Sequence, residues 1–166
     1  MPRVLLSLGA NLGHMAQSVR KAMDMISRWP GVSDVRTSPL YLTKPWGYKD
    51  QDDFVNSAMS FDSGMEPLDL LTRIHAIEDM FQRKRGFRYG PRTLDIDIIC
   101  IGDLVMDTDE LMIPHPKMAE RAFVLLPLDA IDPDFMIPGT CRNVHEFAKA
   151  LPASETDGVR LLDENE

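Results

Sequence analysis

The chain has 166 residues, with 18 Lys and Arg against 26 Asp and Glu, which gives a formal net charge of −8. This length predicts one domain with its own core, and a hydrophobic share of 44% is typical of a globular protein and not of a disordered or fibrous one. The acidic balance argues against a general nucleic-acid binder, whose surface is usually basic, although net charge does not tell where the charges lie.

Cysteine content and apolar segments bear on the compartment. Cys100 and Cys141 are too few for a disulfide framework and form no CxxC pair, which favours a reducing environment. The N-terminal apolar run is too short for a signal peptide, and no segment approaches the ~20 apolar residues that span a bilayer. We therefore expect a cytoplasmic protein without a membrane partner.

Strand and helix patterns alternate in the first half of the chain. Residues 4–8 predict a short buried strand, which the glycine-containing turn 9–13 ends. A helical period follows over 16–26 and ends at a Pro-Gly pair. Residues 32–43 have strand character with an irregularity at their proline, and residues 54–61 predict a further strand.

The second half completes the same alternation. Pro67 suits the first turn of a helix, whose apolar period continues to residue 81, and a clear strand follows over 94–101. The order β-α-β-β-α-β predicts an α+β, ferredoxin-like sandwich, with an antiparallel sheet and helices on one face. A C-terminal extension contains one more helix over 144–151, and the polar tail after about residue 152 is predicted to be frayed. The whole chain, 1–166, is thus expected to be one domain.

Two aspartates begin the strand predicted over 94–101. Because alternate side chains of a strand share a face, Asp95 and Asp97 point the same way and the apolar residues between and beside them point the other way. Their Cα atoms lie about 6.5 Å apart at two residues of strand rise. Two carboxylates at this spacing can hold Mg²⁺ against a polyphosphate. A solvated strand face is nevertheless the more frequent explanation of such a pair taken alone.

A basic segment directly before the aspartates changes this balance. Residues 83–92 contain five Lys and Arg and no acidic residue. Cations for phosphate oxygens beside carboxylates for a metal are the two halves of a phosphate site. Phe87 and Tyr89 offer a stacking surface for a base. Alone, this loop would be interpreted as a solvated surface segment; beside the aspartates, it indicates a magnesium-polyphosphate site.

Other site motifs are weaker or missing. There is no glycine-rich phosphate loop, the four histidines are isolated from one another, and no serine or cysteine has a nucleophile signature. Trp46 lies in a turn-rich loop, where a tryptophan either fills the core or covers a flat ligand. Asn56 offers a donor and an acceptor of the kind that recognises the edge of a heterocycle.

Four segments, in order, resemble the 6-hydroxymethyl-7,8-dihydropterin pyrophosphokinase family of folate biosynthesis. The most specific is Phe87 to Asp97, with the sequence FRYGPRTLDID. The others are 7–13, with the sequence SLGANLG, then 45–56, and then 113–123. The resemblance covers roughly residues 4–135, which is nearly the whole predicted domain.

The resemblance implies an enzyme that transfers a diphosphate from ATP to the pterin hydroxymethyl group and releases AMP. It implies that Asp95 and Asp97 bind two Mg²⁺ ions, that Arg92 neutralises charge in the transition state, and that Arg83 contacts the triphosphate. The positions that it assigns to ATP are Glu78, Arg83, Arg85, Tyr89, Arg92, Ile98, His115 and Arg121. The positions that it assigns to the pterin are Thr43, Pro45, Trp46, Gly47, Phe54, Asn56, Asp95 and Phe123. The implied partners are small-molecule substrates and not nucleic acid, and the implied state is a monomer.

The chain also departs from the family pattern. Tyr89 stands where tryptophan is common, Phe54 where tyrosine is frequent, and His75 where glutamine is frequent. Glu110 and Met112 replace basic and hydroxylated residues of some members. These departures concern single ATP and pterin contacts, and they leave Arg92 and both aspartates in place.

Three questions stay open at the level of sequence. The general base is either Asp97 or a metal-bound water. A non-catalytic RNA-binding module is the alternative class, because ferredoxin-like sheets can present aromatic residues to bases. The aspartate pair would repel a phosphate backbone in the absence of metal, which disfavours that alternative. A homologue that has lost activity is the third reading, and the intact Arg92, Asp95 and Asp97 argue against it.

Overall fold

The computed structural model describes residues 1–10, 15–43, 54–83 and 94–162. Its helices and strands follow the predicted alternation and continue through the C-terminal extension. In chain order they are β1 (Arg3–Ala10), α1 (Met15–Ser27), β2 (Ser33–Thr37), β3 (Tyr41–Thr43), β4 (Phe54–Asp62), α2 (Pro67–Arg83), β5 (Asp95–Ile101), β6 (Met106–Asp107), β7 (Met112–Ile113), a short 3-10 helix (Met118–Glu120), α3 (Ala122–Ile131), β8 (Met136–Ile137), β9 (Arg142–Asn143), α4 (Val144–Lys149), α5 (Ala153–Thr156) and β10 (Val159–Leu161).

The main sheet has the order β10-β3-β4-β1-β5. Strand β3 pairs with the first part of β4, and β2 pairs with the last part of the same strand. Every pairing in this sheet is antiparallel, with β1 between β4 and β5. The strand predicted over 32–43 is therefore two short strands on one partner. The interruption falls at 38–40, where Ser38 Oγ accepts the N–H of Ala58 at 2.8 Å and the proline has no N–H to donate. The order and the pairing confirm the ferredoxin-like prediction.

Helices α1 and α2 cover one face of the sheet, as predicted. Their apolar faces bury alternate residues of the strands, because successive strand side chains point to opposite faces. Strand residues in this core include Leu6, Leu8, Met59, Ile96 and Ile98. Met80 departs from the predicted helical stripe, since 47% of it is exposed on the outer side of α2.

The C-terminal extension covers part of the opposite face, which we call the α3 face. A second apolar cluster there joins Leu5, Ala58 and Cys100 of the sheet to Val124 and Leu125 of α3. Helix α4 begins with a capping box, in which Asn143 and Glu146 satisfy each other's backbone N–H groups. The sheet is therefore covered on both faces, with the second layer supplied by the extension.

Two local predictions are wrong. Gly9 and Ala10 lie inside β1 and not in a turn after it, because both pair with β4. The tail after residue 152 is ordered through residue 162: β10 pairs with β3 and places Val159 opposite Thr43. Fraying was predicted from the polar composition of the tail, but main-chain hydrogen bonds between β10 and β3 hold this segment in the sheet.

Within the parts of the chain that the structure describes, no helix has the length and apolar character needed to cross a bilayer.

Candidate active site

Two rows of residues, which we call the polar rows although the second ends at the apolar Ala58, cross the α3 face beside the apolar cluster. Asp95 of β5 lies opposite Gly9 of β1, Gly9 opposite Asn56 of β4, and Asn56 opposite Tyr41 of β3. The next row, two residues along β1, joins Asp97 to Ser7 and Ser7 to Ala58. Because adjacent strands are about 4.8 Å apart, the Asp95 and Asn56 backbones are about 10 Å apart, with Gly9 between them.

The aspartate pair has the predicted orientation. Ile96 and Ile98 are buried, with 5% and 4% exposed, while Asp95 is exposed and Asp97 partly exposed on the other face. Two carboxylates with oxygen donors only suit Mg²⁺, which keeps several waters and phosphate oxygens among its ligands. Among the described residues no group of three or more His, Cys, Asp or Glu forms a ready metal cage. The two carboxylates themselves are ligands of the kind that hold Mg²⁺ together with phosphate oxygens.

Glu78 connects α2 to the strand that carries the aspartate pair. Its side chain is buried, and Oε2 accepts the N–H of Ile96 at 2.9 Å. Ile96 lies between the two aspartates on β5, which is an edge strand of the sheet in the described chain. Because this hydrogen bond uses an N–H of an edge strand, Glu78 holds the backbone between Asp95 and Asp97.

His115 lies beside Asp97 and Arg121. Its backbone N–H donates to the Ile99 carbonyl at 2.9 Å, which holds the residue against β5. Its Nδ1 accepts the N–H of Lys117 at 3.2 Å, so Nε2 carries the proton of the neutral ring. Burial lowers the pKa of His115, Asp97 opposes this shift, and Arg121 and Lys117 reinforce it. The imidazole is therefore neutral at neutral pH and offers an N–H donor.

Arg121 and Phe123 meet at the start of α3. Arg121 is the N-cap residue, and its Cζ lies 5.5 Å from the centroid of the Phe123 ring. This distance is in the range of a cation–π contact. The structure therefore joins a residue predicted for ATP to one predicted for the pterin.

Asn56 is held from the β3 side. Its Nδ2 donates to Thr43 Oγ1 at 2.8 Å, and both side chains are 5% exposed. Phe54 begins β4 opposite Thr43. Three residues that the resemblance assigns to the pterin are thus neighbours at one end of β3 and β4.

The other residues named from the sequence fall into three groups: one is buried, three are exposed, and the rest lie outside the described residues. Ile98 is one of the buried core residues on the α1 and α2 face, so its side chain lies on the other side of the sheet from the aspartates. His75, Glu110 and Met112 are exposed. Pro45, Trp46, Gly47, Arg85, Tyr89 and Arg92 lie outside the described residues, as does the side chain of Arg83 at the end of α2.

Sequence reasoning missed Gly9 and Ser7. Both lie in a segment that carries the resemblance, but the turn predicted over residues 9–13 excluded Gly9 from the predicted strand. Alternation along β1 puts Leu5, Ser7 and Gly9 on one face, and this signal is visible in the sequence. Their position between the aspartates and Asn56 depends on the strand register, which the sequence does not give.

A family model described as 7,8-dihydro-6-hydroxymethylpterin-pyrophosphokinase (HPPK) matches residues 5–133. A Pseudomonas aeruginosa protein named 2-amino-4-hydroxy-6-hydroxymethyldihydropteridine pyrophosphokinase is 41% identical over 150 residues, which cover 90% of this chain and 92% of the relative. A Bacillus subtilis protein of the same name is 35% identical over 158 residues, which cover 94% and 87%.

Solved structures agree on the fold. A triple mutant of Plasmodium falciparum HPPK-DHPS, solved with pteroate, superposes with a TM-score of 0.73 at 14% identity. The match covers 96% of this chain and 46% of the Plasmodium chain, so this protein spans less than half of that longer one.

Proposed function

The chain belongs to the 7,8-dihydro-6-hydroxymethylpterin-pyrophosphokinase family, and we propose that the two polar rows of the α3 face are where it transfers pyrophosphate from ATP to 6-hydroxymethyl-7,8-dihydropterin in folate biosynthesis. One observation carries this assignment: the aspartate pair and Asn56 share a single surface, separated by a glycine. A metal-phosphate subsite and a heterocycle subsite then lie about 10 Å apart, two strand spacings across the sheet.

The reaction needs positioning more than covalent help from the protein. The pterin hydroxyl oxygen attacks the β-phosphorus of ATP in line and gives up its proton to a base or to solvent. The new O–P bond forms, the bond from the β-phosphorus to the α,β-bridging oxygen breaks, and AMP leaves. Holding the hydroxyl and the phosphate in line contributes to the rate by proximity, and fixed donors stabilise the charge that develops on the phosphate oxygens. Neutral His115, which lies beside Asp97, and Arg121, which lies beside His115, are donors that suit this task.

Asp95 and Asp97 are the residues that would hold Mg²⁺, two ions in this proposal. Bound Mg²⁺ neutralises the triphosphate and polarises its β-phosphoryl group. The support from this chain is the pair of oxygen ligands on one strand face at the exposed end of β5.

The substrate contacts are assigned by position. On the ATP side they are Glu78, Arg83, Arg85, Tyr89, Arg92, Ile98 through its backbone, His115 and Arg121. On the pterin side they are Thr43, Pro45, Trp46, Gly47, Phe54, Asn56, Asp95 and Phe123. Arg92 and Arg83 are proposed to neutralise charge on the transferred group. A monomer acting in the cytoplasm, where ATP is abundant, is part of the same proposal.

The test is a product assay with ATP, Mg²⁺ and 6-hydroxymethyl-7,8-dihydropterin. We expect AMP and the pterin pyrophosphate in equal amounts, and no AMP when EDTA replaces Mg²⁺. Formation of ADP would refute diphosphate transfer. Turnover that persists in EDTA would refute the magnesium assignment while leaving the reaction in place.

A further inference from the structure

Gly9 is the point where two neighbouring strands leave no room for a side chain. A Cβ built on Gly9 would lie 2.7 Å from Asn56 Oδ1 and 3.7 Å from Asn56 Cγ. Separations below 3.0 Å essentially never occur for real Cβ atoms. The φ angle of Gly9 lies outside the left-handed region. The glycine is therefore required by the close approach of Asn56 and not by the backbone conformation.

Asn56 has little freedom to yield to such a Cβ. Its side chain is 95% buried on β4, and its Nδ2 is engaged by Thr43 Oγ1 at 2.8 Å. Thr43 is itself fixed between β4 on one side and β10 on the other. Moving the carboxamide away from residue 9 would break this hydrogen bond and leave polar atoms of Asn56 unpaired in a buried position.

We propose that Gly9 is a positioning residue for the pterin, and that it acts through Asn56. The bare backbone at Gly9 lets the Asn56 carboxamide lie over β1 with Oδ1 toward the aspartate side of the sheet. It also leaves the floor between Asn56 and Asp95 flat, which suits a planar heterocycle whose hydroxymethyl arm must reach the metal subsite. The inference rests on the proposed contact between Asn56 and the pterin.

The test compares Gly9→Ala, Asn56→Ala and the double variant by the KM values for pterin and for ATP. We expect Gly9→Ala to raise the pterin KM about tenfold, the loss that accompanies one hydrogen bond, with the ATP KM within about twofold of the parent. The double variant should equal Asn56→Ala, because the added methyl group has nothing left to displace. Gly64→Ala is the matched control: no described atom lies within 4 Å of a Cβ there, so neither KM should change.

Several outcomes would overturn the inference. An unchanged pterin KM in Gly9→Ala would do so, and so would effects of the two single variants that multiply in the double variant. A rise in the ATP KM as large as that for the pterin would indicate general damage to the sheet. If Asn56→Ala leaves the pterin KM unchanged while Gly9→Ala raises it, the proposed contact of Asn56 fails together with the route through it, although product formation stands.

Folding supplies a second measurement. If Gly9→Ala does not fold, the double variant should recover folding, because removing the Asn56 carboxamide removes the clash. A double variant that also fails to fold would place the cause in the backbone and refute the inference.

Discussion

The two halves of the α3 face have the same strands and opposite chemistry. Where α3 and α4 lie on the sheet, the strands present Leu5, Ala58 and Cys100 to an apolar cluster. Farther along the same strands lies the half that carries the proposed site, which we call the open half: it presents Gly9, Asn56 and Asp95. A single strand, β1, contributes to both halves four residues apart. The strands place apolar residues under α3 and α4, and glycine or polar residues in the open half. The stabilising half of this face is therefore distinct from the half that carries the proposed site.

This division predicts that a substitution affects mainly activity or mainly stability, depending on the half of the face in which it lies. A change at the exposed Asp95 of the open half should reduce activity and leave the free energy of unfolding nearly unchanged, because this side chain contributes little apolar burial. Changes in the covered half should do the reverse. Residues that connect the halves should affect both.

The largest effect is expected from Asp95→Ala. Loss of a proposed metal ligand should lower kcat on the order of 10³-fold, since it removes electrostatic stabilisation of the transferred phosphate. The unfolding midpoint should stay close to that of the parent because Asp95 is exposed. Steady-state AMP formation and thermal unfolding measure the two quantities. Asp103→Ala, an exposed aspartate in the turn after β5, is the control and should retain full activity. Near-normal turnover of Asp95→Ala would contradict the metal assignment.

The opposite pattern is expected from Leu125→Ala in the covered half. Leu125 is fully buried in the cluster under α3, so truncation should lower the free energy of unfolding by about 2–5 kcal/mol. Below the unfolding transition, both KM values should stay within about twofold of the parent. Urea unfolding and steady-state kinetics provide the measurements, and Leu68→Ala, which removes a 43% exposed leucine on α2, is the matched control. A strong loss of substrate affinity at unchanged stability would show that the halves are not separate.

Glu78 tests the connection between α2 and the open half. Glu78→Ala removes the acceptor of the Ile96 N–H and should cost about 1–3 kcal/mol of stability together with turnover. Glu78→Gln keeps an oxygen acceptor and should lie closer to the parent in both measurements. If the carboxylate instead contacts ATP through its charge, the glutamine variant should raise the ATP KM as much as the alanine variant does. The comparison of the two variants thus separates a positioning role from a binding role.

The smallest expected effects concern the reactivity of the two thiols and the pH dependence that Cys100 gives to stability. Burial raises the pKa of Cys100 to about 12, whereas Cys141 is exposed. A thiol reagent at pH 8 should label Cys141 rapidly and Cys100 only after unfolding, as mass spectrometry of the two peptides can measure. Because the folded pKa of Cys100 exceeds the reference value of 9.0, its contribution favours the folded state below pH 9 and is lost as pH rises toward 12. Rapid labelling of Cys100 in the folded protein would indicate that the covered half opens readily.

The parts of the fold that the sequence predicts are those set by local periodicity. Strand alternation placed Asp95 and Asp97 on one face and Ile96 on the other, and helical spacing gave α1, α2 and α4. The family resemblance then added site positions that spacing alone could not assign. The sequence does not show that Asp97 and Arg121 both lie near His115, and only the folded chain brings them there.

Features that depend on long-range pairing were not predictable. The position of α3 on the second face, the pairing of β10 with β3 and the space requirement at Gly9 all follow from contacts between distant segments. The polar composition of the tail is a local property, and it does not indicate that β3 has a free edge with which the tail can pair. Gly9 likewise becomes informative only once β4 is known to lie beside β1.

The pairing of β10 with β3 also bears on association between molecules through their sheet edges. Without Val159–Leu161, the outer edge of β3 would present unpaired N–H and C=O groups to solvent, next to the residues that hold Asn56. Such an edge is a template on which strands of other chains can pair. Strand β10 is a poorer template, because it is short and has the charged Arg160 at its centre. Strand β10, the last strand among the described residues, therefore covers the outer edge of β3, and a protein shortened before residue 159 would expose that edge.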